Sequence, residues 1–142
     1  MSQVQGSGLT AASTPMRRRA LLVLLIAHGA ASLLHFAHNA EFLADYPNIP
    51  ASLSRAGVYA AWLAVTALGV LGYLLFRRGF RLAGPGVIAV YALLGFGGLT
   101  HYGLAPLSEH TAAMNATIWL EAATAALLLV AALRELTRRN AY

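Results

Sequence analysis

The chain has 142 residues, of which 58% are hydrophobic and 11% charged. Soluble domains carry about 25% charged residues, so this chain lacks the polar groups to cover its own surface, and its main solvent is lipid. The absence of cysteine excludes disulfides, thiolate metal sites and cysteine nucleophiles. All ten basic residues are arginines, giving a net charge of +5. They sit in short clusters at the ends of apolar runs, which fits membrane topology and lipid headgroups rather than a nucleic-acid-binding face.

Residues 1–16 are polar, rich in Gly, Ser and Thr, and read as a disordered tail, with Met16 as an internal start candidate. Residues 17–142 read as one domain. Arg17-Arg18-Arg19 opens an apolar run. A secretory signal cleaved near Ala27-His28-Gly29 is one reading. Apolar residues continue through Leu34, Phe36 and Phe42, however, so a span over about 20–44 is preferred. Two prolines, Pro47 and Pro50, place a loop at 45–55, and Ser52 or Ser54 suits a helix cap.

The second span, about 56–76, has no ionisable group. Tyr59, Trp62, Thr66, Gly69 and Tyr73 fall on one helical stripe, and Gly69 and Gly72 allow close helix approach. A basic turn, Arg77 to Arg81, leads to a glycine-rich third span at about 82–104 with His101 near its end. After a short loop holding Glu109 and His110, the fourth span, about 111–133, carries Glu121 near its middle.

The expected fold is an all-α, integral-membrane four-helix bundle with up-down topology. Nine of the ten arginines lie at the termini and the second turn. The positive-inside rule therefore puts both termini in the cytoplasm, and the arginine placement suits a bacterial inner membrane. At ~1.5 Å per residue, His38, Glu41, His101 and His110 then lie within roughly 10 Å of the outer helix ends. His35 is a little deeper, Glu121 lies near the bilayer centre, and His28 lies deeper still.

Two stripes emerge. His28, Ser32, His35 and Asn39 share one face of the first helix, with His38 at its edge. His110, Met114, Thr117 and Glu121 share a face of the fourth. Lipid offers neither stripe a partner, so the two should face each other.

Ionisable side chains inside a membrane point to function. The preferred reading is a transition-metal or haem site, hence a membrane metalloenzyme or redox protein. Its ligands would be His35, His38, His101 and His110, with zinc, copper or iron as the ion. Glu121, His28, Glu41, Glu109 and Asn39 would form a supporting shell or a proton path. For haem, two histidines on facing helices would ligate the iron, and the glycines of the third helix would make room for the macrocycle. No serine triad is visible. The alternative is a proton-coupled transporter of a small molecule or ion using Glu121, with Tyr59, Trp62 and Tyr73 lining a substrate pocket. In size and helix count the chain resembles small multidrug exporters; their carboxylate belongs to the first helix and Glu121 to the fourth, so no residue carries over. A third reading is a structural subunit of a membrane complex or a homo-oligomer, in which the polar groups only tie helices together.

Overall fold

The structure, a computed structural model, describes residues 13–137. Of the tail expected at 1–16, residues 1–12 lie outside them, and residues 13–16 are instead helical, since the first helix already begins at Ser13. The described residues are all-helical, with no strand among them. Helix α1 is Ser13–Glu41, α2 is Arg55–Arg77, α3 is Ala83–Leu94, α4 is the short His101–Leu104, and α5 is Ala112–Thr137. Four segments are long and apolar enough to cross a membrane: Met16–Glu41, Arg55–Arg77, Ala83–Leu104 and Ala112–Thr137.

Local chemistry explains the boundaries. Past Glu41 the chain tightens into a 3-10 turn at Leu43–Asp45, so α1 stops a few residues short of the expected Ala44. Ser54 caps α2, its hydroxyl accepting from the Gly57 N–H at 3.1 Å. Gly79 ends α2 with φ of 88°, a left-handed conformation that glycine adopts without a Cβ penalty. The third span is not one continuous helix. It breaks after Leu94, passes through a 3-10 turn at Gly97–Thr100 and resumes at His101. Gly95, Gly97 and Gly98 at this break have low helix propensity.

Helix α1 packs on α5 and on α2, and α3 packs on both α2 and α5. One half of the interior is apolar, built from Leu21, Ile88, Ala89, Tyr91, Ala92, Leu128 and Ala132. The other half holds the buried polar groups. On the lipid side, Val23, Ile26, Leu63, Val70, Leu93, Leu127 and Val130 are exposed, as expected of helices whose outer faces meet acyl chains.

Glycines permit the closest approaches. A Cβ on Gly84 would lie 2.5 Å from the Phe76 backbone nitrogen and 2.6 Å from its Cα; one on Gly69 would lie 2.7 Å from the Tyr91 ring. The expected close contact at Gly69 and Gly72 is present, and its partner is α3. Gly84→Ala should therefore destabilise the bundle by about 1–3 kcal/mol, because backbone cannot swing aside as a flexible side chain does. Gly86 has open space at the same helix end, so Gly86→Ala should be neutral or stabilising by up to about 1 kcal/mol. Thermal unfolding in detergent checks the pair; equal midpoints would contradict the packing argument.

Candidate functional site

The two polar stripes face each other. His28, Ser32, His35 and Asn39 on α1 are all buried, as are Met114, Thr117 and Glu121 on α5; His110, expected on the same helix, is buried too but lies in extended backbone just before α5 begins. Their ring and hydrogen-bond contacts follow the bundle axis. His110 lies against His101, ring centroids 6.2 Å apart, and His101 lies 5.6 Å from His35. His35 Nε2 stands 3.9 Å from Glu121 Oε2, with both side chains 2% exposed. Ser32, also buried, lies on the α1 face turned toward Glu121. Deepest, His28 Nδ1 bonds the Thr124 hydroxyl at 3.1 Å. Thr124 donates its own proton to the Leu120 and Glu121 carbonyls, so His28 Nδ1–H is the donor in that contact and its Nε2 is left as an acceptor.

Asn39 ties the upper part together. Its amide nitrogen donates to His35 Nε2 at 3.0 Å and to His101 Nε2 at 3.2 Å. Both imidazoles therefore present Nε2 lone pairs to one point and carry their protons on Nδ1. His110 Nδ1 donates to the Pro106 carbonyl at 3.1 Å, so its Nε2 also remains an acceptor. His28 Nε2, His35 Nδ1, Asn39 Oδ1, His101 Nδ1, His110 Nε2 and Glu121 Oε2 are buried without a protein partner. Each such orphan typically costs about 1–3 kcal/mol. A row of them is more than helix packing requires.

His38 leaves the row. Its Nδ1 bonds the Tyr46 hydroxyl at 2.9 Å, and its ring sits 4.7 Å from Phe42. Tyr46, buried, lies over His101 with centroids 4.9 Å apart. His35 and His38 thus do not converge: three residues along a helix is about 300° of rotation, and the remaining offset turns one ring inward and the other to the edge. Glu41 is engaged elsewhere, paired with Arg55 at 2.6 Å and accepting from Tyr59 at 2.8 Å. Glu109 is exposed in its 3-10 turn. Among the described residues no three His, Asp or Glu side chains form a group able to hold a metal ion. The expected quartet of His35, His38, His101 and His110 is therefore not assembled.

Nor does the glycine-rich helix hold a slot open for a macrocycle. A Cβ on Gly95 would collide with the His28 ring, and one on Gly98 would lie 3.2 Å from His35 Cε1 and 3.3 Å from Glu121 Oε2. These glycines let the broken third span lie directly on the polar row. Trp62 and Tyr73 are half-buried on α2, and Tyr59 is held at the surface by Glu41, so the three do not share one free path.

Sequence reasoning placed Ser32 on the polar stripe and named the glycines of the third span, but it passed over Tyr46 and Thr124; Tyr46 carried no signal in a proline loop. Tyr46 stands outside the spans. Burial pushes its phenol from 10 up to about 12, with the Thr117 hydroxyl pulling the other way. The folded state holds this proton more tightly than the unfolded chain, so the associated stability is full below pH ~10 and is lost as pH rises toward ~12. The thermal midpoint in detergent should fall over that window, and Tyr46→Phe should flatten the fall; an unchanged slope would contradict the burial argument.

In comparisons with protein-family models, curated proteins and solved structures, nothing matches this chain.

Proposed function

We propose that the chain is a proton-coupled carrier of a small solute, with Glu121 and His35 as the proton-exchanging pair. One observation carries the reading. His35 Nε2, an acceptor toward Asn39, lies 3.9 Å from Glu121 Oε2 with both side chains fully buried. Two lone-pair-bearing atoms at that separation in low dielectric repel each other unless a positive charge enters between or beside them. A proton is the smallest charge that fits, and a carboxylate beside histidines inside a membrane is the usual material of proton relays.

The arrangement along the axis supports a carrier over a leak. The polar row runs inward from His110 as far as His28. Beyond it the interior is filled by Leu21, Ile88, Leu128 and Ala132. A proton passed from Glu121 to His28 meets an apolar plug, so onward passage requires the helices to shift; the break between α3 and α4 is the one interruption in the spanning helices among the described residues. With the arginine clusters on the cytoplasmic side, the row opens outward from a bacterial inner membrane.

A second reading has its own support. His35 Nε2 and His101 Nε2 both aim at the Asn39 amide nitrogen. If Asn39 turned away, a zinc, copper or iron ion would meet two imidazoles, with Glu121 beside His35 as an oxygen donor. Haem is less well supported, since Asn39 stands between the two rings.

Purified protein in vesicles with a trapped pH-sensitive dye separates these readings. In the carrier reading, an added solute moves protons, Glu121→Gln abolishes the movement, and His35→Ala slows it by ~10²-fold or more, the contribution typical of one positioned proton-transfer group. Identical traces for wild type and Glu121→Gln would end that reading. Near-stoichiometric metal by elemental analysis, lost in His101→Ala, would replace it with the second.

A further inference from the structure

Beside the polar row, the end of α1, the turn after it and the first turn of α5 border a half-open pocket of about 330 Å³. Its lining is His38, Phe42, Asp45, Thr111, Ala113 and Met114. The volume is at the lower end of the ~300–1,000 Å³ usual for small-molecule sites. Phe42, Ala113 and Met114 make most of the wall apolar, and Asp45 is the one formal charge in the lining. The two helix ends that meet here carry opposite partial charges, and both are partly satisfied: the His38 carbonyl accepts from the Phe42 N–H at 3.0 Å, and the Thr111 hydroxyl accepts from the Met114 N–H at 3.2 Å. Asp45 therefore decides the sign of the pocket.

We propose that this pocket binds a lipophilic ammonium, the class of solute that the carrier would exchange for protons. The charged nitrogen lies at Asp45 and the apolar body lies against Phe42, Ala113 and Met114. Phe42 offers a ring face to the cation as well. His38 Nδ1 contacts the Tyr46 hydroxyl; in the tautomer that donates Nδ1–H to Tyr46, Nε2 accepts an ammonium N–H. Tyr46 packs edge-on to His38 and in turn lies 4.9 Å from His101, so the pocket reaches the outer end of the polar row through the His38 and Tyr46 rings. The ligand is a free amine rather than a phospholipid headgroup, because a headgroup brings a phosphate beside its ammonium. No arginine lines the pocket to receive that phosphate, and Asp45 repels it. Binding stands on the pocket alone; the role of the amine as cargo rests on the carrier reading.

The test uses 4-phenylbutylamine, with 4-phenylbutanol and 4-phenylbutyrate as neutral and anionic isosteres. Equilibrium dialysis against the full chain in phosphatidylcholine nanodiscs, corrected with empty discs, reads the affinity. The amine should bind at least ~10-fold more tightly than either isostere. Asp45→Asn should weaken it by ~10-fold, and Ala113→Trp, which fills the pocket from an exposed position, should abolish it. Both variants should keep the wild-type thermal midpoint. Glu121→Gln should bind the amine normally yet fail to exchange it for protons in vesicles. Equal binding of amine and alcohol, an Asp45→Asn variant with unchanged affinity, or displacement by phosphatidylethanolamine discs would overturn the site. Loss of amine binding alone, with Glu121-dependent proton movement intact, would remove the pocket and leave the carrier. Amine binding with no Glu121-dependent exchange would do the reverse.

Discussion

Hydrocarbon offers no partner to a polar side chain, and the arrangement of this bundle follows from that. α1 carries four buried polar residues on one face and α5 carries two, with His110 just before it. Turned to lipid, each group would lose its hydrogen bonds. Turned to each other, they share partners and occupy one half of the interior. The apolar half, around Ile88 and Leu128, closes the remainder. The rotational setting of α1 against α5 is thus decided by polar groups, although most of the buried surface is aliphatic.

The third span completes this arrangement by giving way to it. An imidazole is bulky, and His28 and His35 both lie against α3 and the turn that follows it. Glycines at 95 and 98 supply the clearance, and the same residues interrupt the helix. One local choice therefore serves two ends: it admits the rings and leaves a break at the depth of the Glu121 carboxylate. A helix with alanine at these positions would be straighter and would hold the rings further out. The site and the segment best able to move are, in this sense, made of the same residues.

The polar row is not a closed coordination sphere. Its nitrogens are directed by individual neighbours: Tyr46 takes His38, Pro106 takes His110, Thr124 takes His28, and Asn39 divides itself between His35 and His101. This disperses the lone pairs along an axis instead of focusing them on a centre. Dispersed acceptors beside a carboxylate suit stepwise handling of a small positive charge, which is the ground on which proton exchange is proposed over a four-histidine ion site.

The primary structure by itself determined the class. Sparse charge, four apolar runs and terminal arginines leave lipid as the solvent, and the three-and-four residue spacing of His28, Ser32, His35 and Asn39 fixes a buried face, because helical periodicity is a local property. It also marked Ser54 as a cap and Gly69 and Gly72 as contact points. Only the tertiary structure decided which histidines meet. His38, one turn from His35, pairs with Tyr46 from a proline loop, and Glu41 is drawn off by Arg55 and Tyr59 from α2. Those outcomes depend on the rotation of each helix about its axis and on loop residues folding back over the bundle end. Spacing along one chain carries no record of either.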